Sequence, residues 1–317
     1  SLVFVIGMKH GVVGVLYGRM FGDAVSAMFG LVLIRHALRP RFSRASLRRM
    51  LAYGVPAIPA LMMFGVIAGI DRYRLERTRS IEEVAVYAVA LRFFTLVTVA
   101  ASAFQLAYGP FAYARASAPE APRLYARVLA LYVAIGSLGA FLVSAFAPEM
   151  LAVLVPPSYR AAATPATWLA FAAVAFGAYT VTSISIGIAL KTPLLSIGAG
   201  AGALVAIVGH RVLTPKWGPV GAAATQCLAY FTVAVTTYVI AQRVHPLPYR
   251  GGRLAVLFVG ALALAVLVQR LETSEALGLG IKLGAALLFT AVCLALGVHR
   301  DRGAVGRRPI VTHHPGS

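Results

Sequence analysis

The chain has 317 residues, 60% of them hydrophobic and only 12% charged, with a formal net charge of +19 from 29 Lys and Arg against 10 Asp and Glu. A soluble domain carries about a quarter charged residues, so a water-soluble globular protein is excluded. The apolar runs are continuous and about twenty residues long, which excludes a β-barrel built on alternating strands of about ten.

The fold class expected is an all-α polytopic membrane helix bundle with about nine transmembrane helices. They fall near 11–34, 55–74, 83–106, 126–147, 162–189, 193–212, 218–241, 253–270 and 276–298. The connections are short, and none could hold an extramembrane domain. Ser1 opens directly on an apolar stretch with no signal-peptide pattern. The chain therefore reads as a piece of a longer protein.

Along the first helix, Gly7, Gly11, Gly14, Gly18 and Gly22 recur every three or four residues and give a flat face for close helix approach. Arg19, Asp23 and Ser26 follow at i, i+4 and i+7, so Arg19 and Asp23 can pair on one face. That pair either lowers the cost of insertion or meets a substrate. The segment 35–50, RHALRPRFSRASLRRM, reads as a basic amphipathic linker on the inner leaflet.

Pro56 and Pro59 should break or kink the start of the second helix. At its far end stands Asp71, followed by Arg72 and Arg74. An interfacial ion pair is expected there, with a proton- or ion-responsive carboxylate as the sharper reading. The next helix carries Arg92 about ten residues in, with no acidic residue within one turn. An arginine at that depth costs roughly 2.5–3.5 kcal/mol by insertion scales, so it faces a partner or a cavity. Tyr87, Thr95, Thr98, Ser102 and Gln105 share a broad polar arc with it. The two readings are an inter-helix hydrogen-bonded contact and a water-filled cavity whose fixed cation meets an anionic substrate group.

Further on, 162–189 contributes Tyr179, Thr180, Thr182, Ser183 and Ser185, and 218–241 contributes Thr225, Gln226, Thr232 and Thr236. Either set could be inter-helix glue or cavity lining. Gly198 with Gly202, and Gly280 with Gly284, repeat the small-residue spacing. Cys227 and Cys293 fall in apolar runs without ligand spacing and read as packing residues. The tail from 299 to 317 is polar and basic, and reads as a disordered cytoplasmic tail whose His313 and His314 are incidental.

Basic residues alternate between loops. One set holds Arg35 to Arg49, Arg115 to Arg127, Lys191, Arg243 to Arg253 and the tail, and is roughly twice as rich as the other. Those loops are expected to be cytoplasmic and the turn at 75–82 external. The excess of charge then serves orientation and anionic lipids rather than nucleic acid. No phosphate-binding G-x-x-x-x-G-K-[ST], no H-E-x-x-H and no loop-borne catalytic set occurs. No ATPase site, metal, cofactor or enzymatic activity is expected.

Several stretches in order carry a resemblance: YGVPAIPA at 53–60, IDRY at 70–73, VAVYAVALR at 84–92, QLAYGPFAYA at 105–114, VPPSYRAAA at 155–163, ALKT at 189–192 and PKWGPVGAAAT at 215–225. From residue 11 to about 245 the chain resembles the C-terminal part of the polysaccharide-biosynthesis, O-antigen type flippases of the multidrug/oligosaccharidyl-lipid/polysaccharide exporter superfamily. The resemblance implies two six-helix lobes around a central cavity, alternating access, and transfer of a polyprenyl-diphosphate-linked oligosaccharide across the bacterial inner membrane for surface polysaccharide such as the O-antigen of lipopolysaccharide. Glycan-assembly machinery would be a partner. On that pattern 1–34 ends the first lobe, whose other helices are absent, 51–242 is the second lobe, and 252–298 is an accessory pair.

The family's cationic cavity carries over to Arg92 and, with less weight, Arg19. Tyr87 and Gln105 would donate hydrogen bonds to substrate, and Asp71 and Asp23 are candidates for ion coupling. Two rivals stand: a multidrug exporter of the same superfamily, which needs unpaired carboxylates in its cavity, and a polytopic glycan polymerase or ligase, which needs a sizeable external loop. A membrane scaffold without transport is the third.

Overall fold

A computed structural model describes residues 11–35, 43–244, 251–270 and 275–295. The readings of Gly7, of most of the 35–50 linker's first half, and of the 299–317 tail with His313 and His314 lie outside the described residues. Among those described there is no strand. The ten α-helices are α1 Gly11–Ile34, α2 Arg44–Gly54, α3 Ile58–Thr78, α4 Ile81–Ala114, α5 Ala121–Ala145, α6 Ala147–Leu154, α7 Ala163–Ile188, α8 Leu195–Val244, α9 Gly251–Arg270 and α10 Glu275–Ala295. Seven helical segments are long and apolar enough to cross a bilayer, as a multi-pass membrane protein requires.

The difference from nine has two local causes. The segments 193–212 and 218–241 belong to the single 50-residue α8, and the last expected span is represented by a shorter apolar stretch, Gly280–Cys293. At 1.5 Å per residue α8 would be about 75 Å long, well beyond a hydrocarbon core of about 30 Å. It does not run straight. Gly218 has φ 55° and ψ −133°, a conformation outside the helical region that glycine alone adopts readily. Beyond it the chain folds back on itself. Gly198 faces Thr237, Gly202 faces Val233 and Ala229, Gly209 faces Thr225, and Gly221 lies against Leu213. Those pairs share one antiparallel register centred on 217–218, so the legs 195–217 and 219–244 form a tight hairpin.

The chain divides into two units, Ser1–Leu51 and Ala52–Ser317. In the first, α1 exposes nearly every described side chain, among them Leu16, Met20, Met28 and Leu33. In the second, α7 is the central post, with burial all round its axis. Its sequence, ATPATWLAFAAVAFGAYTVTSISIGI, is small and apolar on every face, which lets α4, α5, α8 and α9 approach it. Phe258 fixes α9, with its ring 5.5 Å from Phe171 of α7 and 5.2 Å from Phe231 of α8. Lys282 of α10 pairs with Glu149 of α6 and lies over the Phe146 ring.

The prolines behave as expected. Pro56 opens a 3₁₀ turn, Val55–Ala57, and Pro59 sits in the first turn of α3, where no helical N–H is lost. Pro110 lies within α4, and two residues beyond it the Ala112 carbonyl accepts from the Tyr125 hydroxyl at 2.7 Å. The connections of this unit gather at two ends. At one, the α3–α4 turn meets the α8 bend, and Gln269 donates to the Ser144 carbonyl at 2.8 Å. At the other, Tyr125 meets Ala112, and the Gly251 N–H donates to the Tyr238 hydroxyl at 3.2 Å.

Candidate functional site

Along α3 the buried side chains are Ala60, Ile67, Asp71 and Leu75. The last three are four residues apart and therefore lie on one stripe. A carboxylate in that stripe enters the bundle with the apolar groups around it. Asp71 is 2% exposed, deeper than the interfacial pair expected of it. The Tyr87 hydroxyl of α4 donates to Asp71 Oδ2 at 2.8 Å, and the Arg72 backbone N–H donates to Oδ1 at 2.7 Å. Tyr87 is itself 1% exposed.

Both legs of α8 complete the cluster. His210 and Thr214 come from the first, with Nδ1 and Oγ1 3.0 Å apart, and both are fully buried. Gln226 comes from the second and lies beside His210 and Tyr230, while Tyr230 lies near Asp71 and Arg74 of α3 near His210. The alignment is incomplete. His210 Nε2, Gln226 Oε1 and Arg74 Nε are buried and make no hydrogen bond. Buried polar atoms are nearly all satisfied in folded proteins, and Gln226 faces both His210 and Tyr230, so a small side-chain rotation would pair these groups with one another. Beside it Phe64, Phe94, Phe176, Tyr179 and Tyr230 form an aromatic cluster with centroids 4.9–6.5 Å apart.

The hairpin turn is held from the α3–α4 connection. Pro219 has no N–H, so the Pro215 carbonyl four residues earlier loses its helical donor. Arg79 Nη2 donates to that carbonyl at 2.7 Å, and Arg79 Nε reaches the Thr214 carbonyl at 3.4 Å. Glu83 holds the guanidinium at 3.6 Å from Nη1. Ser80 caps α4 by accepting from the Glu83 N–H at 3.4 Å, the S-x-x-E arrangement of a helix start. The cluster thus lies directly beneath a turn fixed by one arginine.

The residues singled out from sequence divide into three groups. Asp71 and Tyr87 come together. Arg92 stands on a different face of α4 from Tyr87, exposed and without an ion pair or hydrogen bond among the described residues, and Gln105 lies half-buried further along the helix. Arg19 and Asp23 pair at 4.0 Å on α1, both largely exposed. Tyr87 therefore does not share a surface with Arg92, because five residues of helix turn it by about 140°.

The hydroxyl arcs are quieter than their sequence suggests. Thr95, Thr98 and Ser102 of α4 donate to carbonyls of their own helix. So do Thr180, Thr182, Ser183, Thr225 and Thr232. Their hydroxyl protons are thus used within their own helix, leaving only acceptor lone pairs for a neighbour. His210 and Arg74 were missed as site residues, although a histidine within an otherwise apolar run was signal enough for the first. No group of three His, Cys, Asp or Glu among the described residues could hold a metal. No family model, curated protein or solved structure matches the chain.

Proposed function

We propose that this chain is part of a transporter that flips a polyprenyl-diphosphate-linked oligosaccharide across the bacterial inner membrane by alternating access, for surface polysaccharide assembly. The observation that carries the reading is Arg92, exposed on a membrane-crossing helix with no acidic partner among the described residues. It lies within the apolar run of α4 that follows Glu82 and Glu83 and reaches Ala114. A cation within such a run is costly unless it serves an anion, and a lipid diphosphate is an anion that must pass there.

On this reading α3, α4, α5, α7 and the two legs of α8 make one six-helix lobe over 51–242, resembling the second lobe of a two-lobe exporter. With α1 and an accessory pair over 252–298 the crossings number nine, and the C-terminal tail is cytoplasmic. Arg92 attracts the diphosphate and Gln105 offers a hydrogen bond. Tyr87 is assigned to Asp71 instead of to the substrate, and their cluster serves ion coupling. Rocking of the lobe supplies access to either side without bond chemistry. The test is Arg92→Ala in the full-length protein, in cells that depend on it for surface glycan. Glycan is lost and is partly restored by Arg92→Lys. Wild-type glycan at normal protein level overturns the reading.

A further inference from the structure

A deep crevice opens between the middle of α4 and α5. Leu96, Ala100 and Phe104 line it from one side, Ile135 and Gly139 from the other, and its volume is about 660 Å³, within the range of ligand-sized cavities. Small residues face each other across it, the arrangement that ordinarily lets membrane helices close up. Val174 of α7 also lines the crevice, its Cγ1 3.2 Å from where a Cβ on Gly136 would lie. Phe104 and Tyr132 close one end, with ring centroids 5.6 Å apart. The mouth is at Leu96 and Ile135, which are 49% and 66% exposed.

The crevice is apolar throughout and runs about 12 Å along α4 from Leu96 to Phe104. An open apolar crevice on a membrane-crossing bundle offers water no partners and is filled by hydrocarbon chain in a bilayer. Arg92 stands one turn beyond Leu96, about 6 Å along the axis. Arg92 and Leu96 are one helical turn apart and so lie on nearly the same side of α4, which sets a cation next to the end of an elongated apolar slot. A resting phospholipid keeps its phosphate at the interface, not beside a cation within the apolar run of α4. A lipid in transit does not.

We propose that the α4–α5 crevice binds the first part of the isoprenoid chain of the transported lipid while its diphosphate meets Arg92. The proposal rests on the transport reading and adds to it where the chain goes. Chain and head group are then held by one helix, so lipid identity is read at both ends of an amphipathic site.

The test is photolabelling of the full chain in proteoliposomes. Three diazirine probes are compared: a polyprenyl diphosphate, an uncharged polyprenol and phosphatidylglycerol, each labelled in the chain. The diphosphate probe labels peptides containing 96–104 and 128–143. Gly139→Leu and Ala100→Leu fill the slot from opposite walls and abolish labelling. A Cβ at Gly139 meets nothing within 4 Å, so that wall accepts added bulk. Arg92→Gln lowers diphosphate labelling about ten-fold, the size of one charge-assisted contact, while leaving polyprenol labelling intact. The proposal is overturned if both filling variants, folded by thermal melting, label normally. It is equally overturned if phosphatidylglycerol labels the same peptides as strongly. Crevice labelling with full surface glycan in Arg92→Ala cells would sink transport and leave the site; lost glycan with no crevice labelling would do the reverse.

Discussion

Tyr87→Phe removes one oxygen and leaves the ring that fills its place among Leu75, Phe93 and Ala162. Tyr87 supplies the hydroxyl donor at 2.8 Å to Asp71 Oδ2, and both side chains are at most 2% exposed. Deleting that donor leaves a buried acceptor unsatisfied, a loss of about 1–3 kcal/mol. Asp71→Ala removes the acceptor, so that each single variant deletes the bond. The single variants should each destabilise, and the double variant should lose less than their sum, with a coupling of about 0.5–3 kcal/mol for residues in direct contact. The assay is a double-mutant cycle on the detergent-solubilised chain, followed by thermal melting and by denaturant unfolding. Strict additivity, or a neutral Tyr87→Phe, would refute the idea that this pair ties α3 to α4. Ion-driven uptake measured alongside separates the two roles of Asp71. A merely structural carboxylate loses transport in proportion to folded protein, whereas a coupling carboxylate loses it at full folding.

Two further outcomes test the hairpin and the accessory helix. Gly218→Ala forces a Cβ into a backbone conformation costing about 1–3 kcal/mol and 3.1 Å from Glu83 Oε1, so the melting point falls, and Arg79→Ala in the same background adds little because the turn is already displaced. Equal effects of Arg79→Ala in both backgrounds would show that the arginine does not act on the turn. Lys282→Glu should loosen α10, raising proteolysis between α9 and α10, and Glu149→Lys in the same chain should restore protection through the exchanged pair. If the double variant is cleaved as fast as the single, the pair does not dock the helix.

Much of the architecture was legible because lipid makes severe demands on sequence. A crossing helix must be apolar for about twenty residues, so α1, α3, α4, α5, α7 and α9 announce themselves by length alone. The breaks at Pro56 and Pro59 were equally plain, since a missing N–H has the same consequence wherever it occurs. The polar residues were far less legible. Helical spacing put Tyr87 and Arg92 on one wide arc, yet α7 and α8 bury one edge of α4 and leave the other exposed. Hydroxyls that looked like lining instead close bonds within their own helix, a choice invisible in a list of residues.

From sequence alone came the membrane class, the helical content, the place of Arg92 within an apolar run and its lack of an acidic neighbour within a turn. Those follow from composition and from a fixed rise per residue. Only the packed chain decided that α8 doubles back at Gly218, that Asp71 meets Tyr87 with Tyr230 near it, and that α4 and α5 leave a crevice between them. Such pairings join residues as far as 159 positions apart, from Asp71 to Tyr230. Nothing local specifies them; they arise when whole helix surfaces compete for the same neighbours and the best-packed combination prevails.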